Sequence, residues 1–61
     1  MAGAIIWSVS REKLAELEAS GMVTVGDGMI DVHFGTGHTP PAGRYKVESS
    51  DEHSITVKMH L

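Results

Sequence analysis

The stretch from Met22 to Phe34, Met-Val-Thr-Val-Gly-Asp-Gly-Met-Ile-Asp-Val-His-Phe, constrains this chain more than any other. Two runs of alternating apolar and polar residues meet at Asp27-Gly28. That pair favours a two-residue type I′ turn, because both turn positions need φ > 0 and Asp and Gly tolerate it best. The turn sets a register in which Gly26 faces Met29, Val25 faces Ile30, Thr24 faces Asp31, Val23 faces Val32 and Met22 faces His33. Val23, Val25, Ile30, Val32 and Phe34 then share one face, and Thr24, Asp31 and His33 share the other with Met22. A slip of one residue would put the apolar set in water, so turn chemistry and hydrophobic pattern support each other.

The flanking segments read in the same way. Ala4 to Val9 alternates as a strand, with Ile5, Trp7 and Val9 directed to a core and Ile6 to the opposite face. The single tryptophan reads as a core anchor rather than a ligand platform. Ser10 suits a helix N-cap, with Val9 and Leu14 as the pair of a hydrophobic staple. Arg11 to Ala19 is rich in helix formers and directs Leu14, Leu17, Ala15 and Ala19 inward. Gly21 suits the left-handed position after the helix. Glu12, Glu16 and Glu18 form a solvated acidic helix face.

Gly35 to Gly43 is the longest irregular segment, with Pro40-Pro41 expected as a stiff, extended, polyproline-like piece. Arg44–Glu48 is a further alternating run, with Tyr45 and Val47 inward. Ser54–Leu61 is the clearest strand, with Ile55, Val57, Met59 and Leu61 on one face and Ser54, Thr56, Lys58 and His60 on the other. A Ser50-Asp51-Glu52 loop would pair Val47 with Ile55 and Tyr45 with Val57. A longer loop would set Lys46 against Lys58, which repel. The expected fold is therefore α+β: residues 1–61 as one small domain, a small antiparallel sheet of about five strands in the order strand, helix, hairpin, hairpin, and the helix packed on its apolar face.

Size and composition bound the function. A chain of 61 residues buries only about 60% of its unfolded surface, so its core is marginal. Small domains compensate with disulfides, a metal or association. The chain has no cysteine, which removes disulfides and thiolate metal sites and fits a cytoplasmic protein. The formal charge of −3 comes without any basic run, so nucleic acid is not an expected partner. Met1-Ala-Gly-Ala-Ile-Ile-Trp is too short and lacks the basic start of a signal peptide. No segment approaches the roughly 20 apolar residues of a membrane span.

Few residues suggest chemistry. Asp31 and His33 lie two apart on a strand and point to one side, and His60 on another strand would supply a third metal ligand if the strands were neighbours. No serine, cysteine or carboxylate sits in a catalytic pattern, so an enzyme is not expected. Gly35, Thr36, Gly37, His38 and Thr39 present successive backbone N–H groups that, with Arg44, suit an anionic small ligand or nucleotide. The segment Gly35-Thr-Gly-His-Thr-Pro-Pro-Ala-Gly-Arg-Tyr-Lys-Val resembles one stretch of L,D-transpeptidases, in which a Thr-Gly run leads through Thr-Pro-x-Gly into a strand. That resemblance covers about a fifth of the chain. The family's activity depends on a cysteine nucleophile in a separate motif, which this chain lacks, so the resemblance implies no activity and no site residues here.

The expected function is a non-enzymatic protein-interaction module without a cofactor. It would associate with itself through an edge strand, Ala4–Val9 or Ser54–Leu61, with Ile6, Met59 and Leu61 at the interface, and serve as an inhibitor or adaptor of a larger protein. The alternatives are an oligomeric anion-binding protein using the Gly35–Gly43 loop and a domain stabilised by metal on Asp31, His33 and His60.

Overall fold

The computed structural model describes residues 3–60. Strand β1 (Ala4–Ser10) leads into helix α1 (Arg11–Ala19), followed by β2 (Val23–Gly26), β3 (Met29–Val32), β4 (Gly43–Ser50) and β5 (Ser54–His60). The strands form one five-stranded sheet in the order β1-β5-β4-β3-β2, antiparallel at every pairing. The element order and the α+β class are those expected from the sequence. The α1 segment carries the chain from one edge of the sheet to the other. The last strand lies inside it, between β1 and β4.

The period-two pattern decides which face is buried. Val9, Leu14, Val23, Ile30, Val32, Tyr45, Ile55 and Val57 form the buried core, with Ile5, Trp7, Leu17, Phe34, Val47 and Met59 packed against it. Each fully buried aliphatic side chain contributes on the order of 1.5–3 kcal/mol. Met59, expected at an interface, instead belongs to this packing: a Cβ built on Gly43 would come within 2.8 Å of its Sδ. Leu61 lies outside the described residues.

Both helix ends follow the expected chemistry. Ser10 Oγ accepts from Lys13 N at 3.0 Å, and Val9 and Leu14 are both buried. Gly21 takes φ 81°, which lets Met22 N reach Leu17 O at 2.9 Å and Gly21 N reach Glu18 O at 3.1 Å, the paired bonds of a Schellman end. Ala15 and Ala19, expected inward, are exposed. With only Leu14 buried and Leu17 half-buried, the inward stripe is narrower than the run of helix formers suggested.

The β2–β3 register is as expected, from Val23↔Val32 to Gly26↔Met29. The turn differs. Gly28 has φ 74°, but no non-glycine residue has positive φ, so Asp27 and Gly28 carry the φ signs of a type II turn rather than type I′. Glycine alone takes the left-handed position, and Asp27 avoids the Cβ clash it would meet there. Val47 N donates to Gly28 O at 3.0 Å, so β4 holds the turn peptide from the side.

The β4–β5 hairpin takes the register that like-charge repulsion argued against. Lys46 pairs with Lys58 and Val47 with Val57, and a bulge between Val47 and Ser49 shifts the pairing to Ser49↔Thr56 and Ser50↔Ile55. The turn chemistry explains it. Asp51 Oδ1 accepts from His53 N at 2.8 Å and Ser54 N at 2.7 Å, and Asp51 N donates to Ser54 O at 2.9 Å. The helix start adds Arg11 N to His53 O at 2.9 Å and Arg11 Nε to Asp51 O at 2.6 Å. Several satisfied polar groups outweigh the pairing of exposed Lys46 with half-buried Lys58, whose repulsion is worth about 0.2–1 kcal/mol.

Candidate functional site

Three surfaces carry the residues singled out in the sequence: the loop after β3, the polar face of the sheet and the β1 edge.

The loop begins at Phe34, the last inward residue of the β3 run. Its ring meets Trp7 edge-on at 5.9 Å between centroids and His38 edge-on at 6.5 Å. Trp7 is thus half-buried in an aromatic row, a neighbour its isolation in the sequence did not suggest. His38 N donates to Gly35 O at 3.2 Å across a turn in which Gly37 takes φ 87°. The chain then bends at Thr39 and Pro40, joined by a cis peptide, instead of running on as an extended polyproline piece. Pro40 is buried, and the Tyr45 hydroxyl donates to Pro41 O at 2.6 Å. Burial pushes the Tyr45 phenol up from its ordinary value. These contacts leave an open cleft of about 320 Å³ lined by Phe34, Gly35, Thr36, Gly37, His38, Pro41 and Ala42.

The anion-binding set is only partly assembled there. Gly35, Thr36, Gly37 and His38 line the cleft, whereas Thr39 and Arg44 do not. Arg44 Nε donates to Asp31 Oδ1 at 2.9 Å, because β3 and β4 place the two residues opposite each other. One backbone N–H, that of His38, is turned to Gly35. Pro41 and Ala42 line the cleft from within the expected Gly35–Gly43 loop, whereas Phe34 lies outside that loop; its inward position directly before the loop was the available signal.

The metal set does not come together either. Asp31 is engaged by Arg44, and His33 Nε2 lies 3.0 Å from Thr24 Oγ1. His60 belongs to β5, and β4 separates that strand from β3. Among the described residues no group of three or more His, Cys, Asp or Glu side chains is placed to hold a metal ion.

At the sheet edges the two outer strands differ. β2 is four residues long and ends in the Asp27-Gly28 turn. β1 is seven residues long and pairs with β5 without a bulge from Ala4↔His60 to Ser10↔Ser54. It carries no charge, proline or glycine. Among the described residues no strand pairs with its outer side. Ile6 on this strand is 65% exposed, and Ile5 and Trp7 on its inward side are only half-buried. Ser54–Leu61, the other strand expected at an edge, is instead paired with β1 along Ser54–His60 and with β4 along Ile55 to Lys58.

No family model, curated protein or solved structure matches the chain. The short likeness of Gly35–Val47 to a transpeptidase stretch therefore brings no family with it. No helix among the described residues is long and apolar enough to cross a membrane.

Proposed function

We propose that this protein is a non-enzymatic interaction module that associates with a second copy through β1. The carrying observation is the unprotected β1 edge. Sheet edges are ordinarily blunted by short strands, charges, proline or a bulge. β2 is short, whereas β1 has none of these devices along its seven residues. Antiparallel pairing of two β1 strands about a two-fold axis satisfies the outward backbone groups of both copies by the same contact. It also places the inward side chains of the second copy's β1 beside the half-buried Ile5 and Trp7. The helix fits this reading as a cover for the apolar face: Leu14 is buried and Leu17 packs against the same core. The module's partners are then its own second copy and a further, larger protein that it adapts or inhibits.

Sedimentation equilibrium on the wild type and on Ile6→Lys tests the reading. A lysine in an edge strand disfavours strand addition, while the exposure of Ile6 keeps the cost to the fold small. The wild type is expected to show a concentration-dependent dimer and the variant a folded monomer. A wild-type monomer throughout, or a variant that assembles equally well, overturns it.

A further inference from the structure

We propose that the outer face of the sheet is a docking surface for an acidic, extended segment of a partner protein. The proposal rests on the reading of the chain as an interaction module and names the chemistry of the second partner.

The register supplies the surface. Ile6 lies opposite Lys58, Lys58 opposite Lys46, and Lys46 opposite Met29. One row across four strands therefore reads Ile6, Lys58, Lys46, Met29. Two residues along the strands, on the same face, stand His60 and Arg44. Three of the five Lys and Arg residues of a chain with net charge −3 are thus gathered on neighbouring strands. Arg44 is paired with Asp31, and this is the one ion pair among the described residues. Lys46 and Lys58 have no carboxylate at ion-pair distance there.

The fold accepts a cost to bring these lysines together. Like charges directly opposite each other destabilise a sheet. A shift of two residues along β4, to the register of Tyr45 with Val57, would set Arg44 opposite Lys58 and Lys46 opposite Thr56. Instead the bulge after Val47 and the Asp51-bound turn hold the pair in place.

The occupant follows from what flanks the cations. Carboxylates answer Lys46 and Lys58. Ile6, 65% exposed at the end of the row, answers an apolar side chain. A segment that alternates acidic and apolar residues meets both, whereas a nucleic-acid backbone offers no apolar side chain to Ile6. Pairing of two β1 strands would set two such rows side by side and double the surface.

The test is a backbone-amide NMR titration of the full chain with a glutamate-rich peptide containing leucine, and separately with a short DNA duplex. Shifts are expected at Ile6, Met29, Lys46 and Lys58 with the peptide, and binding is expected to weaken as salt is raised. The double variant Lys46→Gln, Lys58→Gln should bind about tenfold more weakly and melt no lower than the wild type, because its like-charge pair is gone. Lys13→Gln, on the helix, should bind as the wild type does. Undiminished binding by the double variant, shifts confined to another surface, or preference for the duplex overturns the proposal. Sedimentation of the same samples separates the two claims. A dimer that ignores the peptide overturns the docking surface alone, and a monomer that binds it overturns self-association alone.

Discussion

Asp51 shows how much one side chain decides in so small a fold. Its carboxylate accepts from two backbone N–H groups and lies 3.4 Å from the Ser54 hydroxyl. The bonds from His53 and Ser54, with the charge of Arg11 adding, hold its pKa below the ordinary carboxylate value. A folded-state pKa depressed in this way contributes stability above the unfolded value and loses it as the pH falls through the folded one. Thermal melts from neutral pH downward should therefore show falling stability below about pH 4, with a shallower fall in Asp51→Asn; equal slopes would remove Asp51 from the acid response. This role was legible only in part. Ser50-Asp51-Glu52 reads as a loop, but the bonds that Arg11 sends to His53 O and Asp51 O come from a distant part of the chain and left no local trace. Asp31 and His33 illustrate the opposite error. Their spacing on one face was read correctly, and Thr24 lies beside His33 through the hairpin register, but Arg44 reaches Asp31 through the β3–β4 pairing, which no local pattern reveals.

At the scale of elements, hydrophobic period and capping residues carried most of the information. The N-cap at Ser10, the Schellman end at Gly21, the β2–β3 register and most inward side chains follow from local rules, whereas Val25, placed on the inward face, is 41% exposed on the short edge strand β2. Turn type did not, because Asp-Gly suits more than one turn and the bond from Val47 to Gly28 is contributed by a later strand. The φ signs give a specific expectation. Gly28→Ala should destabilise the domain by roughly 1–2 kcal/mol, the cost of a left-handed L-residue, while Asp27→Ala should cost little. Chemical denaturation of both variants checks this, and equal losses would restore the type I′ turn. The β4–β5 register was misread for a related reason. A shift of two residues preserves the faces, so the hydrophobic pattern could not choose between the alternatives, and a lysine repulsion of a few tenths of a kcal/mol was weighed without the turn bonds that exceed it. The Gly35–Gly43 segment was recognised as a connector rich in turn residues, but the burial of Pro40 and the bond from Tyr45 to Pro41 are tertiary and left no local trace.

For the whole molecule, strand order determines where function can reside, and strand order was not legible. The alternation marks both Ala4–Val9 and Ser54–Leu61 as strands and leaves either one as the edge. The sheet places Ser54–His60 in the interior and leaves β1 as the long edge. That arrangement turns a short apolar run with one outward isoleucine into the leading candidate for assembly, and it sets Lys58 beside that isoleucine on the outer face, with Lys46 next in the row. The central claim is that β1 of one copy pairs with β1 of another. The most direct measurement is an isotope-filtered NOE experiment on a mixture of labelled and unlabelled protein. The account predicts intermolecular contacts between backbone protons of the Ala4–Ser10 segments of two copies, in antiparallel register. Contacts that place another surface between the copies, or no intermolecular contact at concentrations where the mass is that of one chain, would contradict it.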